Sequence, residues 1–74
     1  MSKERTVIGQ NIKKYREARG MTQLVLAKAA HLSPATIGHM EIGDVPNQKI
    51  LTLKKIADAL DIKVDELIAS SQKN

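Results

Sequence analysis

Two histidines, His31 and His39, offer the chain's imidazole chemistry, either metal ligation or proton transfer near neutral pH. Their spacing of eight places one in a turn and the other on a helix, and the chain has no cysteine. The four convergent ligands of a structural metal site are therefore missing. The sequence also assembles no nucleophile with a base and an orienting group, no phosphate-binding glycine loop and no paired carboxylates beside a pocket. Metal, cofactor, small-molecule ligand and enzymatic chemistry are accordingly not expected. What remains is hydrogen bonding and charge. The stretch "HLSPATIGHMEIG", residues 31–43, brings Ser33, Thr36 and His39 close together yet contains no lysine or arginine.

Charge lies elsewhere in the chain. The formal net charge is +4 and the pI is near 9.6, a balance that suits a polyanionic partner. Residues 1–20 carry Lys3, Arg5, Lys13, Lys14, Arg16 and Arg19 against Glu4 and Glu17, so the excess is N-terminal. Lys13 and Lys14 read either as steering groups for an anionic partner or as a solvated helix face. No apolar run approaches the roughly 18 residues of a membrane span, and the opening "MSKERT" lacks the apolar stretch of a signal peptide. The expectation is a cytoplasmic protein without a membrane partner.

The elements that must position these groups are short helices. A chain of 74 residues buries only about 60% of the surface its unfolded form exposes, and without disulfides helix packing has to supply the stability. Tyr15 is the single aromatic residue, which leaves Ile, Leu, Val, Ala and Met to build the core. From Val7 to about Arg19, Ile8, Ile12 and Tyr15 recur at helical steps, and Gly20 supplies a stop. Thr22 caps a second helix through Ala30, in which Leu26, Ala27 and Ala30 share a face. Ser33-Pro34 is the clearest start signal, because Ser caps a first turn and Pro at its first position has no N–H to satisfy. The third helix is expected from Pro34 to about Ile42, stopping at Gly43. "GDVPN" is a loop. A fourth helix runs from about Gln48 to Leu60 on the stripe Ile50, Leu53, Ile56, Ala57 and Leu60. After a break at Asp61 to Lys63, Val64, Leu67 and Ile68 form a short fifth. The predicted organisation is a flexible arm over residues 1–6, one domain over 7–69 and a polar tail over 70–74.

In these residues the chain resembles the Cro and phage-repressor family of helix-turn-helix regulators, also called Xre-like. The likeness is carried by "TQ" opening helix two, Leu26-Ala27, Ala30, then Ser33, Pro34, Thr36, Ile37, Glu41 and Gly43. Flanking "IGQNIKKYR", "TLKKIADAL" and "VDEL" extend it over about residues 7–69. The resemblance implies an all-α, compact five-helix lambda-repressor-like domain, with the helix-turn-helix at helices two and three. One helix of the motif would cross the DNA backbone and the next would lie in the major groove, with Leu32 and Ile37 as the apolar plug between them.

The resemblance also implies roles for single residues. Ser33, Pro34, Ala35, Thr36 and His39 would face base edges. Thr22, Gln23, Asn47 and Lys49 would meet phosphates, helped by the free N–H groups of a helix N-terminus. Arg16 and Glu41 would form a structural ion pair, and Leu67 and Ile68 a dimer surface. The function implied is a sequence-specific regulator of transcription, a repressor, bound as a homodimer to a palindromic site on double-stranded DNA.

Several positions depart from the family pattern. Leu24 and Val25 stand where acidic or polar residues are usual, leaving an exposed apolar patch. His31 replaces a turn glycine, although histidine tolerates positive φ better than most residues. Gly38 interrupts the recognition helix, at a cost of about 1 kcal/mol relative to Ala unless it admits a close backbone approach. His39, Ile42 and Asp44 stand where Arg, Lys or Asn is common, and the loop before helix four is one residue longer than usual. The rival expectation is a protein-interaction module, antirepressor or antitoxin-like, that keeps the fold with weak or no DNA binding. The uncharged recognition helix and the Leu24 and Val25 patch favour that rival.

Overall fold

The computed structural model describes residues 7–43 and 49–69. Over these the chain is all-helical, in the order α1 (Val7–Ala18), α2 (Gln23–Ala30), α3 (Pro34–Glu41), α4 (Ile50–Leu60) and α5 (Val64–Ile68). The helices follow the expected segments to within a residue or two. The expected arm, tail and first residue of helix four (Gln48) lie outside the described residues, as does Asn47.

Local chemistry accounts for the helix starts. Thr22 Oγ1 accepts from the Val25 N–H at 3.1 Å, and Ser33 Oγ accepts from the Thr36 N–H at 3.1 Å, with Pro34 in the first turn. The stops of α1, α2 and α4 share one device. Gly20, His31 and Asp61 each take up the left-handed conformation, at φ of 66°, 59° and 59°. The next residue then returns its N–H to a carbonyl five positions back, Met21 to Arg16, Leu32 to Ala27 and Ile62 to Ala57, at 2.8–3.0 Å. This is the Schellman closure, and Met21, Leu32 and Ile62 make the apolar contact that accompanies it by packing against the core. Only one of the three sites needed glycine to be recognised as a stop.

Ile12, Leu26, Ala27, Ala30, Ile37, Met40, Leu53, Ile56, Ala57, Leu60 and Leu67 form a single buried cluster drawn from all five helices. Helices of five to twelve residues are not stable in isolation, so this shared core holds every one of them in place. Leu32, in the turn between α2 and α3, packs partly buried against this cluster, to which Ile37 belongs.

Two contacts of α1 were not anticipated from the sequence. Gly9 is buried against the end of α3: a Cβ there would fall on the Met40 carbonyl oxygen and 2.8 Å from that of Glu41. The close backbone approach sought at Gly38 is thus made at Gly9. Asn11 is also buried, and its Nδ2 donates to the carbonyls of Leu67 and Ala69, each at 2.7 Å. Carbonyls at the end of so short a helix as α5 have no intrahelical donors, and Asn11 supplies them from across the core. Asn11→Leu is expected to destabilise the domain by about 1–3 kcal/mol, the cost of stranding buried acceptors, and to raise amide exchange first in α5. Unchanged melting and unchanged α5 exchange would remove this role.

Candidate nucleic-acid interface

The surface of interest begins with how α3 is held. Arg16, near the end of α1, donates from Nε to Glu41 Oε2 at 2.6 Å and from Nη2 to Oε1 at 3.1 Å. Its Nη1 donates to the Met21 carbonyl at 2.8 Å. Glu41 retains 4% of its side-chain exposure and Arg16 11%, so the two-pronged pair is nearly enclosed. The hydrogen bond to Glu41 is the main reason the Arg16 guanidinium is held above arginine's ordinary pKa. Burial opposes that shift, and the charges of Glu41 and Glu17 add to it. A third partner joins from α2, where Gln23 Nε2 donates to Glu41 Oε1 at 3.0 Å. One carboxylate at the end of α3 therefore ties together α1, α2 and α3.

With its inner face fixed by Ile37, Met40 and Glu41, α3 presents Pro34, Ala35 and His39 exposed and Thr36 half-buried. The Ser33 and Thr36 hydroxyls lie 2.9 Å apart in a mutual hydrogen bond, and Ser33 also caps the helix. Both hydroxyls are therefore already engaged in building the turn, and each keeps capacity for further bonding, Ser33 for one bond and Thr36 for two. Thr22 and Lys49 are exposed at the starts of α2 and α4. The side chain of Lys49 caps nothing there. Gln23 lies beside Gly38: a Cβ on Gly38 would meet Gln23 Oε1 at 3.5 Å, an ordinary contact.

Elsewhere the structure separates residues that the sequence grouped together. Leu67 is fully buried in the core and cannot form the surface expected of it with Ile68, because the stripe it shares with Val64 points inward. Ile68 stays 47% exposed. His31 sits exposed in the turn at positive φ, the conformation its replacement of glycine required. Leu24 and Val25 are 53% and 47% exposed at the start of α2. Lys13 and Lys14 are exposed on α1, Lys14 with its Nζ 5.1 Å from the Tyr15 ring centre. Two functional contributors escaped the sequence reading. Gly9 lacked any local signal, and the Gln23 to Glu41 bond joins residues eighteen apart with nothing in their spacing to suggest it.

Comparison with known proteins gives a consistent result. The helix-turn-helix family model matches residues 12–67. Over 61 residues the chain is 38% identical to the immunity repressor protein of Bacillus phage phi105, a match that takes in 82% of this chain. The chain spans 42% of the length of that relative. Among solved structures, the restriction-modification controller protein C.AhdI from Aeromonas hydrophila superposes with a TM-score of 0.80 at 34% identity, over 84% of this chain and 92% of that one. SinR of Bacillus subtilis, the master regulator for biofilm formation, solved in complex with DNA, gives 0.80 at 32% identity over 84% and 98%. With this five-helix architecture and the α2-turn-α3 motif locked as described, the chain belongs to the Cro and phage-repressor-type, Xre-like family of helix-turn-helix regulators.

Proposed function

We propose that this chain is a sequence-specific DNA-binding repressor of transcription that acts as a homodimer on a palindromic operator. The observation that carries the reading is the locked motif. Arg16, Gln23 and Glu41 hold α3 rigidly with Pro34, Ala35, Thr36 and His39 on its outer side, the pose in which a recognition helix enters a major groove. Ala35 and the Thr36 methyl would contact a thymine methyl, and Thr36 and His39 would exchange hydrogen bonds with base edges. Affinity would come from phosphates met by Thr22, Lys49, Asn47 and the free N–H groups that open α2. The relatives support this, since one is a phage repressor and another is solved on DNA.

Dimerisation follows from economy of recognition. One short helix reads few base pairs, whereas two half-sites about 34 Å apart multiply specificity. Ile68 is the remaining candidate from the expected dimer surface. Residues 1–6 and 70–74 would be an arm and a tail outside the domain, and the working compartment is the bacterial cytoplasm where the DNA lies.

A second reading, an interaction module with little DNA affinity, is favoured by the exposed Leu24 and Val25 and by the absence of Lys and Arg from residues 31–43. Selection from a random duplex pool at several salt concentrations separates the two. The expected result is an enriched palindrome bound with a steep salt slope. No enrichment even at low salt would discard the repressor and leave the module.

A further inference from the structure

We propose that Gln23, although it belongs to α2, reads a base, and that the base is adenine. The inference rests on the DNA-binding reading above and changes the role of Gln23 within it from phosphate contact to base contact.

Pro34, Gly38 and Glu41 follow one another at helical steps along one flank of α3. Along that flank the recognition helix itself offers an incoming base nothing, because Pro34 has no side-chain hydrogen-bonding atom, Gly38 has no side chain and Glu41 is buried. Gln23 fills the gap. Its carboxamide lies over Gly38, 3.5 Å from where a Cβ would stand, and reaches on to Glu41.

The carboxylate of Glu41 only accepts hydrogen bonds, which fixes the amide's orientation: Nε2 must face Glu41, and Oε1 is turned away from it. One N–H is consumed by Glu41. The other N–H and the carbonyl oxygen remain, on a residue that is exposed to solvent. A phosphate can only accept, so Oε1 has no use for one. An adjacent donor and acceptor held in a plane match the N7 acceptor and N6 amine of adenine in the major groove, the bidentate pairing of a Gln or Asn side chain. The anchor on Glu41 also restricts the side chain before DNA arrives, which lowers the ordering cost of forming that pair.

The test repeats the random-duplex selection with wild type, Gln23→Met and Gly38→Leu, each checked for a cooperative melt. Gln23→Met keeps the length that covers Gly38 but removes both hydrogen-bonding groups, and Gly38→Leu pushes the carboxamide off α3. Both are expected to lose the preference for adenine at the same single position of each half-site and to keep the rest of the site. Affinity for the wild-type duplex should fall about 10-fold with the salt slope unchanged. Uniform weakening across all sequences, with the adenine preference retained, would show a phosphate contact and overturn the proposal; the salt slope is unchanged in either case because Gln23 carries no charge. So would an unaltered selected site in Gln23→Met. A wild-type protein that enriches no duplex overturns the DNA-binding reading itself, a result distinct from either.

Discussion

Gly9→Ala is expected to destabilise this domain by about 2–3 kcal/mol, lowering Tm by roughly 10–20 °C for a chain of this size. Helix propensity alone gives the opposite sign, since Ala in a helix interior is favoured over Gly by about 1 kcal/mol. The tertiary contact outweighs it. A methyl on Gly9 would meet the carbonyl oxygens of Met40 and Glu41, which are backbone atoms and cannot rotate away as a side chain could. Either α1 and α3 separate, opening the core around Ile12 and Ile37, or the end of α3 distorts and loosens the Glu41 contacts. Gly38→Ala is the matched control. Its new methyl would make an ordinary contact with the Gln23 side chain, so propensity prevails and the melting temperature should hold or rise. Thermal denaturation of the two variants side by side decides the matter, and equal shifts would mean that α1 and α3 do not cross as closely as described.

The second large effect lies at the other end of the same crossing. Glu41→Ala strands the Arg16 guanidinium and the Gln23 amide together, where breaking a fully buried ion pair costs about 3–5 kcal/mol. Arg16 keeps its bond to the Met21 carbonyl and a little exposure, which places the expected loss near the lower end, about 3 kcal/mol. Glu17→Ala removes a neighbour 3.9 Å from the same arginine, but that carboxylate is 59% exposed. Its loss should cost less than about 0.5 kcal/mol. Denaturant melts of the two variants with equal midpoints would show that the network does not secure the recognition helix. None of this makes the pair a net stabiliser relative to an apolar replacement. Its work is to fix where α3 sits.

Most of the helix scaffold could be read before any coordinates because its signals are local. Ser33-Pro34 and Thr22 cap the turns they begin, and of the expected stripe Ile50, Leu53, Ile56, Ala57 and Leu60 all but Ile50, which stays exposed at the first turn of α4, face the core. His31 turns the chain at positive φ in place of the customary glycine. Arg16 and Glu41 meet as the family resemblance implied. The limits were equally specific. Leu67 and Ile68 are adjacent and alike in the sequence, yet one is enclosed and the other half exposed, because a one-residue step turns a side chain by about a quarter of the helix circumference.

What the sequence by itself determined is the element order, the caps and the apolar faces, since each depends on residues within a turn or two of one another. Only the tertiary structure decided which of two similar helical glycines lies against a neighbouring backbone, which carbonyls Asn11 reaches, and that Gln23 leans across Gly38 to Glu41. Those contacts join residues far apart in the chain, and their existence depends on the distance and angle at which whole helices pack. Periodicity shows which face of a helix is buried, whereas only the packed core determines what that face meets.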